Sequence, residues 1–131
     1  MSQADLDVVE RFLKAFQAGD IETAFSLLHP EVVIDEGEGL PYPGQFVGHQ
    51  GLQTLLGQMF EHLEMRLDGY EIIAAGSSSV AVKLAMVFKS RKSGRELPMP
   101  GVELYSTKDG LVSKIDVFYK DTTSVADLVN G

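Results

Sequence analysis

The chain has no cysteine, which excludes a disulfide, a thiolate nucleophile and a cysteine-ligated metal. Positive charge is scarce as well. Its 11 Lys and Arg stand against 19 Asp and Glu, a formal charge of −8. Phosphate would be repelled rather than gathered, so neither nucleic acid nor an anionic membrane is expected as a partner. No apolar run approaches the roughly 18 residues of a membrane span. The first residues, SQADLDVVERF, carry acids where a signal peptide would not. With no address visible, a cytoplasmic location is expected. No repeat, low-complexity tract or linker divides the 131 residues. A single domain over residues 1–131 is therefore expected, long enough to bury a core. The three histidines, His29, His49 and His62, lack metal-site spacing, and no metal is expected.

What is present is organised around residues 32–52, VVIDEGEGLPYPGQFVGHQGL. An apolar run, Val32 to Ile34, ends in Asp35 and Glu36. A loop rich in glycine and proline follows around Tyr42, and Gly48-His49-Gln50-Gly51 leads into a helical pattern. Upstream, residues 3–18 have Leu6, Val9, Phe12, Leu13 and Phe16 at helical spacing. Ser2 and Asp5 offer a capping box, and Gly19 a stop. Asp20 can cap a second, short helix carrying Ile21, Ala24, Phe25 and Leu28 and ended by Pro30, which pushes His29 toward an extended conformation. A third helix is expected over residues 49–66 with a stripe of Leu52, Leu55, Leu56, Met59, Phe60 and Leu63, followed by a turn at Asp68-Gly69. Four strands are then expected, at 70–75, 80–89, 97–107 and 111–120. The turns between them are a serine turn after Gly76, a basic turn at 90–94 and the hairpin turn Lys108-Asp109-Gly110. Pro98 and Pro100 should make the third of these strands open irregularly. The tail, 121–129, has room for one or two helical turns. The fold class is α+β, with three N-terminal helices packed in a curved, mostly antiparallel sheet that encloses a cone-shaped cavity.

Three strings carry a resemblance across nearly the whole chain: VVERFLKAFQAGDIETAFSLLHPEVVID, GHQGL and DGLVSKIDVFYKD. They resemble the first helices and strand, the entry to the third helix and the last strand of the nuclear transport factor 2-like superfamily. Within it, the chain looks most like the SnoaL-like polyketide cyclases and the ketosteroid isomerases. The resemblance implies a cone-shaped α+β barrel, and it matches Asp35 to the general base of the isomerases. Their oxyanion tyrosine falls at Phe12 and their second aspartate at or beside Val102, with Glu103 next to it. Asp116 matches an acid or base of the cyclases and of the limonene epoxide hydrolases. The arginine and aspartate that those hydrolases also need fall at Leu84 and Met86, so epoxide hydrolysis is not expected.

Asp35 and Asp116 are thus the catalytic candidates. Asp35 is either a general base or a solvated strand-end carboxylate that caps the following loop. Asp116 shares one face of the last strand with Lys114 and Phe118, and Ile115, Val117 and Tyr119 share the other. Either face can be the one toward the cavity. On the family pattern, Asp35 and Asp116 are expected in one pocket walled by Phe12, Met86, Phe88, Val102 and Phe118. Tyr42 would roof it, and His49 at the start of the third helix is a further contact or a surface residue. At least one of the two acids should titrate above its ordinary range. The expected function is cofactor-independent proton transfer (isomerase, cyclase or dehydratase) on a small hydrophobic, oxygen-bearing molecule. The alternative is a non-catalytic binding or accessory module. A homodimer is expected, paired through the face carrying Ile115, Val117 and Tyr119.

Overall fold

Each of the first two helices begins where the sequence caps it. In the computed structural model, which describes residues 2–77 and 79–131, Ser2 and Asp5 form the capping box of α1 (Gln3–Gln17). Asp5 N–H donates to Ser2 Oγ at 3.2 Å, and Ser2 N–H donates back to Asp5 Oδ2 at 3.1 Å. Asp20 caps α2 (Ile21–Ser26), accepting from Thr23 N–H at 3.2 Å. This helix stops earlier than expected, because His29 and Pro30 already belong to β1 (Leu28–Glu36). Proline has no N–H for a helix and keeps the residue before it extended.

The Gly/Pro loop returns as a short strand that the sequence did not announce, β2 (Gly44–Val47), paired antiparallel with β1. Helix α3 (Gly48–His62) follows directly. It ends four residues short of the expected boundary. Leu63 is extended, and β3 (Leu63–Ala75) pairs at once with β4 (Val80–Ser90), Leu63 opposite Ser90. Sheet pairing wins over the helical propensity of this stretch. Asp68-Gly69 is not a turn. It lies inside β3, where the register with β4 shifts between Leu67 and Gly69, the usual role of glycine at a bulge. The turn after Gly76 is closed by its N–H donating to Ser79 O at 2.8 Å. Ser78, within that turn, lies outside the described residues.

Strand β5 (Glu96–Lys108) runs straight through Pro98 and Pro100, paired with β4. Pairing of β5 with β6 (Leu111–Tyr119) starts only at Gly101, opposite Tyr119. Lys120 N–H donates to Pro100 O at 3.0 Å, so Pro100, and by alternation Pro98, points its missing N–H toward the side where β6 has run out. The tail forms α4 (Thr122–Asn130), capped by Asp121 and burying Val125 and Leu128.

Among the described residues there is one six-stranded sheet, ordered β2-β1-β6-β5-β4-β3. The β1–β6 pair is parallel and the rest are antiparallel. The class is α+β, as expected, with the helices against a curved sheet whose edges β2 and β3 do not meet. The core lies between the inner face of the sheet and α1 and α3, with Val9, Leu13, Leu55, Val82 and Val112 nearly inaccessible. No described helix is long and apolar enough to cross a membrane.

Candidate functional site

Strand alternation decides which side chains enter the space between the sheet and the helices. In β1, Val32, Ile34 and Glu36 are buried, whereas Val33 and Asp35 are half-buried on the opposite face. In β6, Ile115 and Val117 are buried and turned inward with Tyr119. In β5 the inward residues are Glu103 and Tyr105, opposite Val117 and Ile115. These side chains form one end of a cavity of about 70 Å³. Helix residues Phe12, Phe16, Leu52, Leu55 and Met59 close the other sides. The cavity is apolar except for Glu36, Glu103, Tyr105 and Tyr119.

That polar end holds more acid than base to match it. Tyr105 Oη donates to Glu103 Oε1 at 2.5 Å, a charge-assisted distance. Glu36 Oε2 and the Tyr42 hydroxyl are both buried with no hydrogen-bond partner among the described residues. Burial pushes the Glu36 carboxyl up to about 8, helped by the negative fields of Glu103 and Asp35. Burial also pushes Glu103 up to about 7, while the bond from Tyr105 pulls the other way. The phenols of Tyr42, Tyr105 and Tyr119 are all held above their ordinary range, by burial first and by the nearby carboxyls second. The two acids therefore share a site in which single ionisation is favoured over double.

The expected site residues divide by strand parity. Phe12 and Met86 line the cavity, as expected. Phe88 is fully buried and packs edge-on against Tyr119, ring centroids 5.5 Å apart, without reaching the cavity. Tyr42 is buried too, but its hydroxyl lies within the electrostatic reach of Glu36 instead of roofing an entrance. His49 does not line the cavity. Its Nε2 bonds Leu28 O at 3.0 Å and its ring meets Phe25 edge-on. Asp35, Val102, Asp116 and Phe118 do not enter the cavity, which corrects the placement expected of them. The structure does bring Asp35 and Asp116 together, as direct cross-strand neighbours, but on the convex face. Gln45 Nε2 reaches Asp35 Oδ2 at 3.5 Å there. The apolar face expected to drive pairing is also inverted, since Ile115, Val117 and Tyr119 line the cavity.

Glu36 is the residue the sequence reading missed. The signal was available in the alternation Val32, Ile34, Glu36, whose apolar members mark the inward set. Sequence alone does not choose between Val102 and Glu103, and the pairing of Val102 with the exposed Phe118 and of Glu103 with the buried Val117 does. Among the described residues, no group of three or more His, Cys, Asp or Glu side chains is arranged to hold a metal ion.

Several solved structures share this architecture. A nuclear transport factor 2-like protein of unknown function from Burkholderia pseudomallei superposes with a TM-score of 0.87 at 23% identity, each chain covered to 100%. TerC, co-crystallised with polyporic acid, gives a TM-score of 0.88 at 22% identity over 98% of this chain and 100% of its own. A Xanthomonas campestris protein with a provisional polyketide cyclase name gives 0.81 at 17% identity, over 96% of this chain and 97% of its own. At these identities the likeness is one of fold. No curated protein matches the chain. The SnoaL-like domain family, however, matches it from residue 9 to residue 115, a span that holds the second half of α1, the whole of β1 with Glu36, and the whole of β5 with Glu103. By that match the chain belongs to the SnoaL-like domain family.

Proposed function

We propose that the chain is a proton-transfer enzyme acting, without a cofactor, on a small hydrophobic molecule that carries a carbonyl or hydroxyl oxygen. The observation that carries this reading is the pair Glu36 and Glu103 at the one polar end, with Tyr105 and Tyr119, of an otherwise apolar cavity. Their environments separate two roles. Glu103, the lower of the two and held by Tyr105, is the base that takes a carbon-bound proton. Glu36, the higher, stays protonated and donates to the developing oxyanion. The phenols of Tyr105 and Tyr119 complete the polar end. The provisional cyclase name of the Xanthomonas campestris relative and the polyporic acid in the TerC crystals agree with an oxygen-bearing ligand. The cysteine-free composition suits the cytoplasm as its compartment.

The test is solvent exchange. In heavy water the protein should speed deuterium incorporation next to the carbonyl of 2-indanone, an apolar ketone with exchangeable protons. Glu103→Gln should slow that exchange by about 10²–10⁴-fold. Binding of the ketone with no acceleration at all would favour the second reading, a plain binding module, which the apolar walls would equally support. A homodimer is part of the proposal. Its contact surface is the convex face around Phe118, which is 53% exposed, because the face first expected to pair is turned inward.

A further inference from the structure

Nothing basic faces the cavity. The described residues that line it include two carboxyls and two phenols, but no Lys, Arg or His. Oxygen Oε2 of Glu36 is buried without a partner, on a residue only 6% exposed. The surrounding walls carry the rings of Phe12, Phe16, Tyr105 and Tyr119. An anionic ligand would bury its charge here beside like charge with no counter-ion. A cation would supply the partner that Glu36 lacks and would meet aromatic rings, which attract cations. The chain as a whole carries a formal −8, and such a field gathers cations at the surface.

We propose that the cavity binds small hydrophobic ammonium compounds, with Glu36 as counter-ion, Glu103 beside it and the aromatic walls around the apolar part of the ligand. Binding is an exchange of one positive charge for another. The Glu36 carboxyl releases its proton to solvent and the ammonium group takes its place, so no other bond forms or breaks. The titratable groups within electrostatic reach of this carboxyl are Glu103 and Tyr105 from β5, Tyr119 from β6, Tyr42 from the loop and, from the opposite face of its own strand, Asp35. Residues of α1, α2 and α3 that line the cavity are all apolar. With both carboxyls raised, the ammonium ligand must displace a proton at low pH and finds the site already charged at high pH. Affinity should therefore rise with pH and level off above about pH 8. The inference does not depend on proton-transfer catalysis, because a pure binding module would show it as well.

Calorimetry on the full chain with benzylamine, benzyl alcohol and benzoate tests it, each titrated in two buffers of different ionisation heat. At about pH 6 benzylamine should release close to one proton per molecule bound. By about pH 8 it should bind at least tenfold more tightly than benzyl alcohol, and benzoate should be the weakest of the three. Glu36→Gln together with Glu103→Gln should abolish the proton release. Benzoate binding as tightly as benzylamine would overturn the proposal. So would benzylamine binding at about pH 6 without proton release, or release that survives the double substitution. The wild-type measurements decide the matter alone if the double variant does not fold.

Discussion

At the scale of the residue, the protonation of Glu36 makes stability depend on pH. The folded chain keeps a proton on this carboxyl up to about 8, whereas its ordinary value is 4.5. Glu103 is shifted the same way, to about 7. Between these limits the folded state holds more protons than the unfolded one, so stability must fall as pH rises. The contribution is complete below about pH 4.5, shrinks through neutrality and is lost above about pH 8. Urea unfolding of the wild type at a series of pH values should show this decline, on the order of a few kcal/mol. Glu36→Gln should flatten much of it, since the amide cannot ionise. An unchanged slope in that variant would place the titrating group elsewhere. Tyr105→Phe makes a separate prediction. It removes the hydrogen bond that favours the ionised Glu103, so the Glu103 carboxyl carbon should titrate at higher pH by NMR. The pH profile of ketone exchange should move with it. The acids were legible as a class from the sequence, but which of two adjacent residues faces inward depends on register. A shift of one residue moves the choice from Asp35 to Glu36 and from Val102 to Glu103.

At the scale of the element, caps were legible because they are local. Ser2 with Asp5, and Asp20 with Thr23, use contacts within three residues, which the sequence contains in full. The boundary between α3 and β3 was not legible. Leu63 continues the apolar stripe of the helix, yet its strand partner Ser90 is far along the chain. Helix α1 is held by its apolar stripe, and Phe12 is the member to test. It is 7% exposed and meets Tyr105 edge-on at 6.0 Å. Phe12→Ala should lower unfolding free energy by about 3–5 kcal/mol in chemical denaturation. A loss below about 1 kcal/mol would mean the helix slides to refill the space. A second contact joins the Gly/Pro loop to α4. A Cβ placed on Gly39 would sit 2.2 Å from Thr122 Oγ1 and 3.0 Å from Thr122 Cβ. Gly39→Ala must therefore push α4 or the loop aside, and should cost about 1–3 kcal/mol. Thr122→Ala removes the nearer atom, so the double variant should recover part of that loss. Simple additivity of the two changes would show that the loop, which carries Tyr42, is not seated on the helix.

At the scale of the whole molecule, the sheet's two faces have different tasks. The concave face holds the acids and the cavity. The convex face is mixed, with Val47 60% and Phe118 53% exposed. Val102 stands opposite Phe118, and Val33 opposite Val47. Charges of both signs border these side chains. Lys83 lies opposite Val102, Lys114 opposite Val33, and Asp35 opposite Asp116. In a lone chain the two aspartates repel as close neighbours on adjacent strands. A second copy paired across this face by a two-fold axis would cover Phe118 and bring lysines of one copy within reach of aspartates of the other. This is why the homodimer remains the expected assembly even though Ile115 and Val117 serve the cavity instead. The fold class was legible from periodicity. Which side of β6 turns inward was legible in its alternation, Ile115, Val117 and Tyr119 against Lys114 and Asp116, but the family pattern pointed to Asp116 instead. Light scattering at micromolar concentration should give twice the 14.3 kDa chain mass. Phe118→Arg should return the protein to a monomer without lowering its cavity's affinity for benzyl alcohol. Raised salt should weaken the dimer if the lysines and aspartates pair across it, because exposed charge pairs are screened. A wild-type monomer at those concentrations would leave the convex face without a partner copy and remove dimerisation from the proposal.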